Sequence, residues 1–148
     1  LGSDGQIGRT TAYYDVLEDY PNINVVFEQT ANWVTEEALA VTENWLQTGT
    51  EIDAIVANND GMAMGALKAV EDAQMLDKIM IYGVDATPDA LAAVKDGRLK
   101  VTISQNTTTQ GQVGLETLVK LANGEEVEPE ILVDFVLIDI NNVDEYLP

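Results

Sequence analysis

The 148-residue chain contains no His and no Cys. An imidazole base, a thiolate nucleophile, a Cys/His zinc site and a disulfide are therefore all excluded. What remains is a set of polar groups: the stretch from Gln29 to Trp33, the tripeptide Asn58-Asn59-Asp60, Asp85, and the pair Gln105-Asn106. Arg9 joins them as one of only seven cations. A guanidinium fork, a carboxylate acceptor, carboxamides that both donate and accept, and an indole face together suit a neutral polyol. Hydroxyls need paired donors and acceptors, and the C–H face of a ring packs on a flat aromatic. Catalysis fits less well. A glycosidase needs two carboxyls across the scissile bond, and Asp85 has only Asp60 as a partner, which helix capping already explains. Asp4, Gly5 and Gln6 lack the dense carboxylate spacing of a calcium loop. Neither a metal nor a cofactor is expected.

Each of these residues also has a purely structural role open to it. Asn58, Asn59 or Asp60 could cap a helix beginning near Gly61, with Asp60 the best candidate for a pure cap. Asp85 lies two positions before Thr87 and could form only an Asx-turn. Arg9 could be a surface cation answering nearby acids. Trp45, at apolar spacing inside a helical pattern, belongs to the core, whereas Trp33 sits between Asn32 and a helix start, a rim position for an indole.

The elements that must position these groups follow from hydrophobic patterning. Runs 23–28, 53–57, 79–84, 101–104 and 131–138 read as strands, and 11–20, 35–47, 61–73 and 109–123 as helices, with another starting at Thr87-Pro88-Asp89 and stopping at Gly97. That alternation predicts βαβ units, hence an α/β fold with a doubly wound, mostly parallel sheet. The unbroken apolar runs Ala-Ile-Val-Ala and Ile-Met-Ile-Tyr-Gly-Val predict interior strands covered on both faces. In such sheets ligands bind at the carboxyl ends of the strands, which is where the polar sets fall. The front departs from the pattern: only Leu1 precedes the Gly2–Gly8 loop where a full strand is expected, so the chain reads as lacking its opening strand. A net charge of −19 argues against a nucleic-acid partner, because a phosphate backbone would be repelled. The 46% hydrophobic content supplies enough apolar surface to fold despite that charge. No targeting segment or long apolar span is seen.

The segments Ala57-Asn58-Asn59-Asp60-Gly61-Met62-Ala63-Met64-Gly65-Ala66, Gly83-Val84-Asp85-Ala86-Thr87-Pro88-Asp89-Ala90-Leu91 and the stretch from Gly97 to Gln105 resemble periplasmic sugar-binding proteins of the ribose and galactose/glucose type. Arg9-Thr10-Thr11, Gln29-Thr30-Ala31-Asn32-Trp33 and Asn142-Val143-Asp144-Glu145-Tyr146 extend the likeness over nearly the whole chain. The resemblance implies a type I periplasmic binding protein: two α/β lobes that close over a monosaccharide and present it to the membrane permease of an ABC importer. It implies that residues 1–148 are the carboxyl-terminal lobe, with helix 109–123 packing on an amino-terminal lobe that this chain does not contain. By matching positions, Arg9 would hold ring or hydroxyl oxygens, Trp33 would stack on the sugar, Asn59 and Asp85 would bond hydroxyls, and Gln105 would add a bond near the hinge. Trp at 33 matches the galactose/glucose binders and Gln at 105 the ribose binders. The implied location is periplasmic or extracellular, with a lipid anchor in the full-length protein as one option. Val113, Leu118, Val119 and Leu121 would face solvent in the isolated lobe and favour self-association.

Two other classes are open to such a sequence. The effector-sensing half of a lactose-repressor-type regulator resembles the same fold, but the acidic chain and the Asn142–Tyr146 ending favour the transport receptor. A flavodoxin-like carrier would need a phosphate-cradling Ser/Thr/Gly loop after its first strand, which Gly2–Gly8 does not supply.

Overall fold

Runs without polar alternation form the centre of the molecule. In the computed structural model, which describes residues 2–147, β1 (Ala54–Val56), β2 (Met80–Val84), β3 (Val101–Ser104) and β4 (Val136–Ile138) make one sheet in that order. The first three strands are parallel, with Ile55 opposite Ile81 and Gly83 opposite Thr102. β4 runs antiparallel to β3. Five helices accompany them: α1 (Asp4–Leu17), α2 (Thr35–Gln47), α3 (Asp60–Asp72), α4 (Pro88–Lys95) and α5 (Thr107–Ala122). A 3₁₀ turn follows at Val143–Glu145. This is the α/β, mostly parallel arrangement that the alternation predicts.

The core lies between the sheet and the inward faces of α3 and α4. Ile55, Ile81, Leu67, Val70, Leu91, Val94, Leu99 and Ile138 are buried there, each contributing about 1.5–3 kcal/mol of transfer free energy. α2 packs on α3 so closely that a Cβ at Gly65 would stand 2.2 Å from Thr35 O and 3.0 Å from Leu39 N. Only glycine fits at that crossing. α2 occupies the expected residues. Thr87 caps α4, its side chain accepting from Ala90 N–H at 3.4 Å, with Pro88 in the first turn.

The front of the chain departs from expectation. Residues 4–8 are helix, not loop, and α1 ends at Leu17 instead of 20. Ser3 Oγ accepts the Gln6 N–H at 3.3 Å, while Gln6 Oε1 accepts the Gly2 N–H at 3.1 Å. This reciprocal cap, with Asp4 in the first turn, starts the helix in spite of its glycines. Leu1, named in the expectation of a missing opening strand, lies outside the described residues.

The run 23–28 is not a strand. From Asn24 to Thr30 its backbone makes no hydrogen bond to other backbone among the described residues. Side chains tie it to the body, Phe27 stacking on Trp45 with centroids 5.5 Å apart. A cavity of about 500 Å³ separates it from β1, with Tyr14 and Leu17 of α1 and Thr42 and Trp45 of α2 also in the lining. Without a neighbouring ladder the run cannot satisfy strand hydrogen bonds. For the same reason β1, expected in the interior, is the edge of the sheet, and Val56 is exposed. Only the last three residues of the expected strand 131–138 pair. α5 buries none of its residues: Leu115, Leu118, Val119 and Leu121 are exposed, and Val113 is half-buried.

Candidate functional site

Three loops leave the carboxyl ends of β1, β2 and β3 side by side, and each carries a polar group. Beyond β2 the chain turns through Asp85 at φ +122° and Ala86 at φ +56°, a left-handed path that non-glycine residues hold only where their surroundings enforce it. The Asp85 N–H donates to Ile103 O at 2.8 Å, and the Ala86 N–H to Thr102 Oγ1 at 3.1 Å. The Asp85 carboxylate is thereby presented beside β3, where Gln105 Nε2 donates to its Oδ1 at 2.7 Å. Arg9 Nη2 lies 3.8 Å from the same oxygen.

Arg9 reaches this point from α1. Its Nη1 donates to Asn58 O at 2.5 Å, just beyond β1, and its Cζ lies 5.9 Å from the centroid of the Trp33 ring. One guanidinium thus touches the ends of β1 and β2 and the residue group that precedes α2. Trp33 is 37% exposed, as a rim position requires, and both Asn32 and Trp33 have left-handed backbones, at φ +50° and +67°. Burial pushes the Asp85 carboxyl above its ordinary value; Arg9 and the Gln105 hydrogen bond pull it down, and the nearby Asp60 adds to the rise. The arrangement offers hydroxyl groups a part-buried carboxylate, a fixed cation and a partly exposed aromatic ring in one place.

Arg9, Trp33, Asp85 and Gln105 are therefore brought together in the structure. Asn59 stands next to them at the start of α3, where it is also the helix cap, its Oδ1 accepting from Met62 N–H at 2.9 Å. That corrects the expectation for Asp60. Asp60 is the first residue of α3, fully buried, and accepts from the Thr87 N–H and from Thr102 Oγ1, each at 2.8 Å. Asn59 has an extended backbone ahead of the helix, at φ −153° and ψ 165°, from which its side chain turns back onto the Met62 N–H, whereas Asp60 is already helical and buried. Asn58 takes a part that capping does not cover. Its Nδ2 donates to Thr10 Oγ1 at 3.0 Å, and its Oδ1 is buried without a partner among the described residues. The buried Thr102 hydroxyl inside Val-Thr-Ile is a further signal, since a buried polar group needs a partner.

Residues 1–126 match the family model of a periplasmic binding protein domain. The xylitol-binding protein of Mycolicibacterium smegmatis is 38% identical over 145 residues, 97% of this chain and 41% of that protein. The ribose import binding protein of Haemophilus influenzae is 41% identical over 120 residues, 81% of this chain and 40% of that protein. Among solved structures, an ABC transporter solute binding protein from Bacillus halodurans with bound myo-inositol is similar at a TM-score of 0.89 and 43% identity, covering 99% of this chain and 50% of that one. An ABC transporter periplasmic solute binding protein from Actinobacillus succinogenes with bound D-allose gives 0.92 and 36% identity, covering 98% and 52%. The chain thus spans about half, or somewhat less, of the length of the relatives it matches. A family match over 126 residues of 148, with the same fold in relatives of this identity, places the chain in the periplasmic binding protein family.

Proposed function

We propose that this chain is one lobe of the substrate-binding component of an ABC sugar importer and supplies half of a site for a monosaccharide or a similar neutral polyol. The observation that carries this reading is the convergence of Arg9, Asp85 and Gln105 beside Trp33 at the carboxyl ends of parallel strands. Asp85 accepts from ligand hydroxyls, and Arg9 donates to ring or hydroxyl oxygens. Asn59 donates through Nδ2, its oxygen being committed to the helix cap, and Gln105 adds a bond near the hinge. Trp33 offers the part of its ring that is exposed beside Arg9. The polyols in the structures from Bacillus halodurans and Actinobacillus succinogenes support this ligand class.

The protein binds its ligand without changing it covalently, and closure of a second lobe over the ligand prepares delivery to the membrane permease. The exposed face of α5 is covered by that second lobe. The working location is periplasmic or extracellular, with anchoring by lipid as one arrangement; no helix among the described residues is long and apolar enough to cross a membrane. The relatives named above are binding proteins, which favours the transport receptor over a repressor-type sensor. A thermal-shift screen of pentoses, hexoses and inositols on the full-length protein tests the proposal: one sugar or cyclitol should raise the melting temperature in a saturable way. A flat response across the panel would count against it.

A further inference from the structure

Asp60 is fully buried yet takes part in none of the ion pairs among the described residues. A carboxylate in that position must be compensated by hydrogen bonds, and its two both lead to the same turn. Oδ2 accepts the Thr87 N–H at 2.8 Å. Oδ1 accepts the Thr102 hydroxyl at 2.8 Å, and the oxygen of that hydroxyl accepts the Ala86 N–H at 3.1 Å. The consecutive amides of residues 86 and 87 are thus both referred to one carboxylate, one directly and one through Thr102. β2 leaves room for it: a Cβ at Gly83 would stand 2.3 Å from Asp60 Oδ1. The clamp grips the turn immediately after Asp85, where the backbone is held at φ +122° and +56°.

A helix cap would need none of this, and Asn59 already caps α3. We propose that Asp60 and Thr102 are positioning residues: through the amides of Ala86 and Thr87 they hold the 85–87 turn so that the Asp85 carboxylate stands ready between Arg9 and Gln105. A ligand that meets this carboxylate then finds it already ordered, and ordering costs are removed from the binding step. The role in affinity rests on the sugar-binding reading above, whereas the clamp on the turn does not.

Two arms separate those layers. In the 148-residue chain, amide hydrogen exchange is followed in wild type, Thr102→Val, Thr102→Ser and Asp60→Ala. The Ala86 amide should lose protection in Thr102→Val, both Ala86 and Thr87 should lose it in Asp60→Ala, and Thr102→Ser should behave as wild type. Core amides of β2 and α3 in Thr102→Val should remain protected, which separates release of the turn from loss of the fold. Wild-type exchange at Ala86 in Thr102→Val would overturn the clamp whether or not any sugar binds. In the full-length protein, Thr102→Val should weaken affinity for the sugar that stabilises it by about tenfold, and Thr102→Ser by less than about twofold. In an Asp85→Ala background the Thr102→Val step should cost less than about twofold, because its effect passes through Asp85. Additive losses would overturn the positioning role. If no sugar binds wild type, the functional reading fails and the exchange arm alone decides the clamp.

Discussion

Asp85 was recognisable in the sequence because a carboxylate directly after an apolar strand and just before a Thr-Pro helix start can only lie at the carboxyl edge of the sheet. Its chemistry was less visible, since Arg9 and Gln105, which flank it, are 76 and 20 positions away in the chain. Burial holds its carboxyl above the ordinary value against the opposing pull of Arg9 and Gln105. The folded chain therefore keeps this proton to higher pH than the unfolded chain. The associated stabilisation is fully present below the unfolded value and is lost as pH rises through the folded value. Urea midpoints measured across the mildly acid range should fall less steeply with rising pH in Asp85→Asn than in wild type, and an unchanged slope would contradict the assignment. Trp33, left partly exposed beneath Arg9, is the natural reporter of the ligand. Its emission should respond to the cognate sugar in the full-length protein, with Trp45→Phe retaining the response and Trp33→Phe losing it. A response that survives in Trp33→Phe would mean that the ligand does not stack there. Asp60 escaped local reasoning because an Asn-Asp tandem at a helix start does not say which residue caps, and its partner Thr102 is 42 positions away.

Among the elements, those whose signals are local matched best. α2, with Glu36 and Glu37 in its first turn, and α4, with its Thr87-Pro88 start, lie where the pattern puts them. α1 shows how a local signal can be outweighed in reading: its Ser3-x-x-Gln6 cap was present, but Gly5 and Gly8 suggested a loop. The run 23–28 has strand composition without strand pairing, because pairing is a property of the neighbour and not of the run. For the same reason β1, with interior-strand composition, stands at the edge of the sheet. The α2–α3 crossing depends on a non-local fit that no local pattern displays, namely the missing side chain of Gly65 against Thr35 O. Backbone atoms cannot move aside as a flexible side chain can, so Gly65→Ala should destabilise the chain by about 1–3 kcal/mol. Urea denaturation monitored by circular dichroism would show this as a lower midpoint, and an unshifted midpoint would mean that the helices separate freely.

At the scale of the whole molecule, charge and apolar surface act in opposite directions. A net charge of −19 makes copies of the chain repel one another, whereas Leu115, Leu118, Val119 and Leu121 on α5, with Ile131 and Leu132 beyond it, leave an apolar surface in water. Salt screens the first and leaves the second. Light scattering on the isolated chain should therefore show self-association that strengthens with ionic strength, and Leu118→Glu should reduce it; a monomer at all salt concentrations would contradict the role given to α5. The charge argues against a polyanionic partner without naming a ligand, and the ligand class comes from the few groups gathered around Asp85. The most direct measurement is titration calorimetry of the full-length protein, wild type and Asp85→Ala, with the sugar or cyclitol that stabilises it. One-to-one binding that Asp85→Ala weakens by about 1–3 kcal/mol is the predicted result. Equal affinity in the two proteins would contradict the site proposed for this lobe.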